Sequence, residues 1–431
     1  MLSRAATRLR ACYHGGLITR SVIATVTLLA AAGWCGAADA ARDQTRRQIK
    51  STLFIPEYLP PLAPEAYGQF SPAPGVVAER ISYATDYGLR IPAIVYRPAQ
   101  APAGKMPGLI VVNGHAGDKY SWYAFYTGML YAQAGAVVVT YDPIGEGERN
   151  VQRKSATGQH DEQVEPPEMG RRMGGLMVTD IMQAVSYLAK RPDVDPKRLA
   201  VLSYSMGSFI SGIACAVERR LHACVLTGGG NLDGPGGYWD SSSHKMCQAT
   251  PYQSLLFLGD RGAVLYDLHA ARGPDLILNG TADQIVAKAG PPFFDDLRQR
   301  VLALGADPHN VFDYDYVPAG GHRPYFVTLV AARWLEKHLD FANWTPGSIA
   351  RMPETHIGDW AARNKISIPA AFSSELREGG TLAAGKDIPA IARKLLNALP
   401  PERWERDKEK YVYESWLKEA RARCGTKSRS Y

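Results

Sequence analysis

The sequence has little unbalanced charge and no internal repeats, and its apolar amino-terminal stretch is short. Its 49 Lys and Arg only slightly exceed its 42 Asp and Glu, and the excess forms no basic stripe, so no nucleic-acid partner is expected. The stretch at residues 22–32 would reach about 16 Å as a helix, whereas the hydrocarbon core of a bilayer is about 30 Å thick. A stable membrane span is therefore not expected. Hydrophobic residues make up 46% and charged residues 21% of the chain, which is typical of a globular protein and excludes disordered, collagenous and coiled-coil proteins.

The first forty residues have the three parts of a secretory signal peptide. Arginines such as Arg4 and Arg20 precede the apolar stretch, and Ala38 and Ala40 form a small-x-small cleavage site. Cleavage near Ala40 would leave 45 basic and 41 acidic residues. The pattern predicts export to the periplasm or the extracellular space. An uncleaved anchor, with the apolar stretch extended to Ala38, remains the alternative.

Four cysteines remain after such a cleavage: Cys215, Cys224, Cys247 and Cys424. Their spacing matches no zinc pattern, so the sequence predicts no metal site. An exported compartment permits disulfides, and the four cysteines allow three pairings, which stay open. Cys215 and Cys224 lie in apolar runs and are expected to be buried as small hydrophobic side chains.

From residue 76 onward, strand-like and helix-like segments alternate. Short runs rich in apolar and β-branched residues predict strands covered on both faces, and they are separated by helical stretches such as residues 123–133 and 177–188. This alternation predicts an α/β domain over residues 76–344, with a mainly parallel central sheet and helices on both faces. The predicted strands are residues 76–83, 89–96, 109–113, 136–141, 199–203, 223–227, 276–279 and 312–317.

Three further segments break or flank this alternation. Residues 41–75 are rich in proline and are expected to form an arm on the surface. Residues 228–262 carry glycine and serine clusters and predict a lid-like insertion over the carboxyl edge of the sheet. Residues 345–431 are predicted to be a helical extension that packs on the body, with a charged helix near residues 402–423.

A nucleophile elbow is indicated around Ser205. In such an elbow a strand turns sharply into a helix, and the residues two before and two after the nucleophile must be small. Around Ser205 these are Ser203 and Gly207, so the usual first glycine is replaced by another small residue. The alternative is that Ser205 is only the N-cap of a helix.

Two later turns supply the partners that a nucleophilic serine needs. Asp283 follows the strand at residues 276–279, and His322 lies in a glycine-rich turn after the strand at residues 312–317. The chain order of serine, acid and histidine is the one expected for this strand–helix architecture. We therefore predict a catalytic triad of Ser205, Asp283 and His322.

Acyl chemistry also needs hydrogen-bond donors for the developing oxyanion. The expected donors are the backbone N–H of Met206 and that of His115, in the loop after the strand at residues 109–113. A role for the His115 side chain as a base is the alternative. After the next strand, an ion pair between Asp142 and Arg149 is expected to fix a tight turn, and direct contact with substrate is the alternative.

These residues resemble the α/β-hydrolase superfamily, and within it the branch of acetyl xylan esterases and dienelactone hydrolases. The resemblance covers about residues 76–425. It implies the fold, the triad and an absence of cofactors, but not the substrate, since members act on acetylated sugars, aromatic esters, lactones or peptides. The segments that carry it are residues 113–119, 142–149, 247–251, 259–260 and 270–274, together with the turns at Ser205, Asp283 and His322.

The function predicted from the sequence is that of an exported serine carboxylesterase acting on small acyl or carbohydrate esters through an acyl-enzyme. Two alternatives remain: a peptidase of the same fold, and a non-catalytic binding protein with a degenerate site. The peptidase ranks lower because no propeller-length repeats precede residue 76. Tyr238 and Trp239 in the insertion either stack on a sugar ring or pack the insertion onto the body. The oligomeric state stays open.

Overall fold

The computed structural model describes residues 38–162, 166–241, 247–286, 290–366, 381–386 and 388–424. The chain divides into two compact units, Met1–Arg47 and Gln48–Tyr431. Residues 38–52 are helical and are called α1. The predicted signal peptide lies outside the described residues except for residues 38–40. Among the helices that the structure describes, none is both long and apolar enough to cross a membrane.

A nine-stranded sheet forms the centre of the second unit. Its strand order is β1-β2-β3-β5-β4-β6-β7-β8-β9. The pairs β1/β2, β2/β3 and β3/β5 are antiparallel, whereas the remaining neighbours are parallel. The strands are β1 Glu65–Ala73, β2 Val76–Ala84, β3 Arg90–Pro98, β4 Met106–Val112, β5 Val137–Tyr141, β6 Val194–Tyr204, β7 Ala223–Thr227, β8 Asp275–Gly280 and β9 Asp313–Val317.

Helices cover both faces of this sheet, and a two-stranded sheet of β10 Glu354–His356 and β11 Leu382–Ala384 lies in the C-terminal part. The helices after α1 are α2 Trp122–Ala134, α3 Gln159–Glu162, α4 Pro167–Lys190, α5 Met206–Val217, α6 Tyr238–Ser241, α7 Ala249–Gln253, α8 Arg261–Ala270, α9 Pro291–Ala303, α10 Leu329–Leu339, α11 Pro346–Ala350, α12 Ile357–Arg363, α13 Pro401–Asp407 and α14 Tyr413–Arg423.

The central strands are apolar throughout because both of their faces are covered. Every residue of β4, β5, β7 and β8 is buried. Alternate residues of β6 belong to different cores: Leu199 and Val201 pack with α4, α5 and α8, whereas Ala200 and Leu202 pack with α2 and α10. This is the period of two expected of a strand between two helical layers. The predicted α/β-hydrolase architecture, mainly parallel and covered on both faces, is confirmed.

The N-terminal segment differs from the predicted arm. Helix α1 covers its first part and β1 its last part, so the sheet begins at Glu65 rather than at residue 76. The prolines at positions 60 and 61 lie between these two elements. Strand β1 pairs only with β2, and only one of its nine residues is buried. An edge strand of this kind has no continuous apolar run, which is why the sequence pattern does not reveal it.

The C-terminal segment also contains more than the predicted long helix. Residues 402–423 form α13 and α14, joined by a 3-10 turn at Lys408–Lys410, because Val412 is extended and buried. Trp416 is fully buried, and its ring lies 6.4 Å from that of Tyr87. The aromatic residues of α14 thus pack against the body of the second unit.

Candidate active site

Ser205 lies at the turn between β6 and α5. Its backbone has φ 53° and ψ −120°, a conformation that a residue with a side chain adopts only under strain. Ser205 occupies the N-cap position of α5, but its side chain makes no capping bond to the helix, so capping does not account for its hydroxyl. The turn presents the hydroxyl at the carboxyl edge of the sheet, as a nucleophile elbow requires.

The replacement of glycine by Ser203 is accommodated by a hydrogen bond. Ser203 is fully buried, and its Oγ donates to the backbone carbonyl of Val225 on the neighbouring strand at 2.9 Å. This hydrogen bond offsets the cost of removing the hydroxyl from water. The small side chain of Ser203 therefore fits beside the turn at Ser205 without changing its conformation.

The structure brings the three predicted triad residues into one hydrogen-bonded chain. Ser205 Oγ lies 2.8 Å from His322 Nε2, and His322 Nδ1 lies 2.8 Å from Asp283 Oδ2. Asp283 is fully buried and His322 is 1% exposed, so the bonds between them are shielded from water. Each residue follows the end of a different strand: Ser205 follows β6, Asp283 follows β8 and His322 follows β9.

Neighbouring groups hold both partners of the serine in place. Asp283 Oδ1 accepts hydrogen bonds from the backbone N–H groups of Ile285 and Val286 at 2.9 and 3.2 Å. Tyr204, the residue before the serine, donates its hydroxyl to the carbonyl of His322 at 2.9 Å. The imidazole and the carboxylate are thus positioned by interactions other than their own contact.

The two predicted oxyanion donors belong to backbone segments beside Ser205. Met206 is the first residue of α5, where backbone N–H groups have no partner within the helix. His115 lies in the turn after β4, which is closed by a bond from Gly117 N–H to the Gly114 carbonyl. A Cβ atom on Gly114 would lie 3.2 Å from the Cβ of Ser205, so this turn packs directly against the serine.

The His115 side chain belongs to a different group. Its Nε2 contacts a carboxylate oxygen of Asp161, and its ring lies 4.7 Å from that of His160. Burial lowers the pKa of His160 to about 4, and the nearby His115 acts in the same direction. Because His322 contacts the Ser205 hydroxyl, a base role for His115 is not needed.

The predicted ion pair between Asp142 and Arg149 is wrong. Arg149 Nη1 pairs with Asp180 at 2.5 Å and only reaches the backbone carbonyl of Asp142. The Asp142 carboxylate instead contacts the Nζ of Lys119, which is fully buried and also lies 2.9 Å from Glu148. Burial disfavours the charge on Lys119, but these two carboxylates outweigh it and raise its pKa. The turn is therefore fixed by partners that are distant in sequence.

The insertion is anchored to the body through Trp239. This side chain is 7% exposed, and its ring lies 4.3 Å from that of Phe209 on α5, so it packs the insertion down. Tyr238 is 44% exposed. The buried Arg261, near the end of the insertion, pairs with Asp240 in its middle at 2.7 Å. Residues 242–246 of the insertion lie outside the described residues.

The expectation for Cys215 and Cys224 is only half right. Both are buried, but they form a disulfide that joins the end of α5 to β7. Their apolar surroundings did not distinguish bonded from free cysteines. Among the described cysteines, Cys247 and Cys424 are free.

The region of the chain that carries this site matches a known protein family. The model of the prolyl oligopeptidase family matches residues 122–347, a region that contains Ser205, Asp283 and His322. The uncharacterized peptidase YuxL of Bacillus subtilis (strain 168) is 31% identical over 155 residues, which are 35% of this chain. The chain spans only 21% of the length of that relative.

Two solved structures share the fold. Methylesterase BT1017 has a TM-score of 0.56 and 19% identity, covering 90% of this chain and 74% of its own. A protein of Bacteroides fragilis NCTC 9343, provisionally named an acetyl xylan esterase, has a TM-score of 0.50 and 14% identity, covering 65% and 75% of the two chains. The family match extends over more than half of the sequence, and the chain therefore belongs to the prolyl oligopeptidase family and has the α/β-hydrolase fold.

Proposed function

We propose that the protein is a carboxylesterase that cleaves small acyl or carbohydrate esters with Ser205 as the nucleophile. One observation carries this proposal: the unbroken hydrogen-bonded chain from Ser205 Oγ through the His322 imidazole to the buried Asp283. A degenerate binding protein would have no need to keep this chain together with the strained turn at Ser205.

The proposed reaction proceeds in two halves. His322 Nε2 takes the proton from the Ser205 hydroxyl as its oxygen attacks the ester carbonyl. The Asp283 carboxylate keeps the Nδ1 proton on the other side of the ring and stabilises the imidazolium. His322 then protonates the leaving alcohol, and an acyl-serine remains. Water, activated by the same imidazole, hydrolyses this intermediate and restores the serine.

The backbone N–H groups of Met206 and His115 are proposed to stabilise the oxyanion. Both segments lie beside Ser205, and Met206 lies at the amino end of α5, where the helix dipole favours negative charge. Donation from backbone groups places these donors independently of side-chain rotamers. The backbone N–H of His115 can therefore serve as an oxyanion donor while its side chain pairs with Asp161.

Ester substrates are supported by the names of the structural neighbours. One is a methylesterase and the other is provisionally named an acetyl xylan esterase, and both share the fold of this chain. Two aromatic side chains of the insertion, Tyr238 and Phe257, are exposed, and Tyr238, next to the packed Trp239, provides a surface on which a sugar ring can stack.

A peptidase is the second candidate function, and the family match favours it. The matched family is named for oligopeptidases, and the relative YuxL is named a peptidase. Both candidates use the same three side chains. They differ in the leaving group, which is an alcohol in one case and an amine in the other.

A panel of matched substrates tests the proposal and separates the candidates. Purified protein should hydrolyse short-chain p-nitrophenyl esters and acetylated xylan faster than the p-nitroanilides and peptides of similar size. Ser205→Ala should lose this turnover by about 10⁴-fold or more. Ser211→Ala is the control, because Ser211 is a nearby serine within α5 that is buried and whose hydroxyl has no hydrogen-bond partner. Preference for the amides would favour the peptidase, and unchanged ester turnover in Ser205→Ala would refute both.

We also propose that the protein is exported. The signal-like residues 1–40 motivate this proposal, and the disulfide between Cys215 and Cys224 is compatible with an oxidising compartment. Sequencing the amino terminus of the protein recovered from its source tests it. A mature chain beginning near residue 41 is expected, and an intact Met1 in the reducing cytoplasm would contradict it.

A further inference from the structure

A second group of side chains lies beside the proposed oxyanion loop and has no part in the proposed reaction. His115, His160, Asp161 and Cys247 each offer one nitrogen, oxygen or sulfur atom, and these four atoms all lie within 4.8 Å of one another. The residues come from three separate segments: the turn after β4, helix α3 and the residues just before α7.

The imidazole of His160 has no hydrogen bond of normal geometry. The residue is fully buried, and its ring nitrogens make only looser polar interactions, such as the one with the backbone of Ile144. The nearest carboxylate oxygen, from Glu146, lies 3.7 Å from its Nδ1, which is too far for such a bond. The buried Nδ1 of His115 is also without a partner. Buried polar atoms normally have hydrogen-bond partners, so these nitrogens are available to bind a ligand.

The remaining two side chains are already directed toward one another. Asp161 contacts His115 through one carboxylate oxygen and accepts the backbone N–H of Cys247 through the other at 2.8 Å. Cys247 is fully buried, and its sulfur lies 3.1 Å from the sulfur of Met206. The thiol is thus shielded from solvent, and it lies within 4.8 Å of the other three ligand atoms.

From this arrangement we propose that His115, His160, Asp161 and Cys247 bind a divalent transition-metal ion of the zinc type. Two imidazoles, one carboxylate and one thiolate are the ligand types that Zn²⁺ takes, usually in a tetrahedron. A tetrahedral site with bonds of about 2.0 to 2.3 Å sets ligand atoms about 3.3 to 3.8 Å apart, so side-chain shifts of about 1 Å complete it. Binding forms a sulfur–metal bond and releases the thiol proton to solvent, without any change of oxidation state.

The bound ion would connect the insertion to the loop that carries a proposed oxyanion donor. Cys247 belongs to the insertion, whereas His115 belongs to the turn that packs against Ser205. The ion would therefore fix the position of both segments relative to α3. This site does not depend on the proposed ester specificity, because none of its side chains contacts the reacting atoms in that reaction.

Cobalt binding to the full-length chain tests the site directly. Protein freed of metal with a chelator is titrated with Co²⁺, and a thiolate-to-cobalt charge-transfer band in the near ultraviolet should saturate at one ion per chain. Zn²⁺ should displace the cobalt and raise the melting temperature. Cys247→Ser should abolish the band, and His160→Gln should weaken binding by about 100-fold.

The second free cysteine provides the matched control. Cys424→Ser should keep the band and the affinity, because Cys424 packs against Met169 of α4 and is not one of the four proposed ligands. Should Cys247→Ser fail to fold, wild type and His160→Gln decide the outcome. The proposal is overturned if wild type binds no cobalt, if the band survives Cys247→Ser, or if His160→Gln binds as tightly as wild type. Since the readout is spectroscopic, it is unaffected by failure of the proposed esterase activity.

Discussion

Gly207 lies directly against the backbone of Asn113, the last residue before the proposed oxyanion loop. A Cβ atom at position 207 would stand 2.5 Å from the Asn113 carbonyl oxygen and 2.7 Å from that of Val112. Both carbonyl oxygens belong to the backbone: Val112 is the last residue of β4, and Asn113 follows it. They cannot move without disturbing the sheet. Position 207 therefore requires glycine because α5 and β4 approach each other too closely there for a side chain.

Gly207→Ala should lower the free energy of unfolding by at least about 2 to 3 kcal/mol, because the added methyl group has no room. Urea denaturation followed by circular dichroism measures this loss. Gly347→Ala is the control: its added Cβ would meet nothing closer than 3.6 Å, and α11 gains a better helix former there. Equal stability of the two variants would show that the structure can accommodate a methyl group at position 207.

Asp283→Asn should reduce kcat of ester hydrolysis by about 10⁴-fold with little change in KM. The asparagine keeps an oxygen for the backbone N–H groups of Ile285 and Val286, but its amide no longer stabilises the imidazolium of His322. Steady-state kinetics measures the effect, and Asp315→Asn on the exposed side of β9 is the control. A decrease in kcat of less than tenfold for Asp283→Asn would show that the carboxylate has no major role in the mechanism.

Loss of the disulfide should destabilise the protein without altering the site. It closes a loop with a sequence separation of 9 residues, for which the chain-entropy model gives about 2 to 3 kcal/mol. The double variant Cys215→Ala with Cys224→Ala should therefore melt at a lower temperature, and a reducing agent should lower the melting temperature of wild type but not of the variant. Cys424→Ser should melt like wild type. An unchanged melting temperature in the double variant would contradict this assignment.

Glu79 should contribute a pH-dependent part of the stability. Burial alone would raise the pKa of its carboxyl, but hydrogen bonds from Arg191 and Arg97 outweigh burial and lower it below 4.5. A carboxyl with a lowered folded-state pKa stabilises the protein above its ordinary pKa and loses this effect as pH falls through the folded value.

Glu79→Gln should therefore cost about 1 kcal/mol at pH 7, since the pair is partly exposed, and markedly less near pH 3. Unfolding free energies at the two pH values measure the difference, with the exposed Glu57→Gln as control. A loss that is equal at both pH values would show that the charge of Glu79 is not responsible.

The residues of the proposed triad can be found from the sequence because Ser205 and Asp283 follow strongly apolar strands and His322 follows β9 in a glycine-rich turn. In a parallel sheet the carboxyl ends of the strands meet at one edge, so the sequence predicts that the three side chains converge. The position of Ser203 was also predictable as a small residue. Its bond to Val225 was not, since the pairing of β6 with β7 sets it.

The features that the sequence did not reveal depend on contacts between distant segments. Arg149 was paired with the nearby Asp142, yet its partner Asp180 lies on α4, 31 residues away. Spacing patterns detect only ligands that are close in sequence, so the group of His115, His160 and Cys247 stayed unnoticed. The edge strand β1 was missed for a different reason, because exposure on one side leaves it without an apolar pattern.

The identity of the nucleophile is the central claim, and covalent labelling tests it most directly. A fluorophosphonate probe should attach to the native protein at one site, and mass spectrometry of the digested adduct should locate it on Ser205. Prior unfolding or Ser205→Ala should abolish the labelling, whereas Ser211→Ala should leave it intact. Absence of labelling in active wild-type protein, or an adduct on a different serine, would contradict the account.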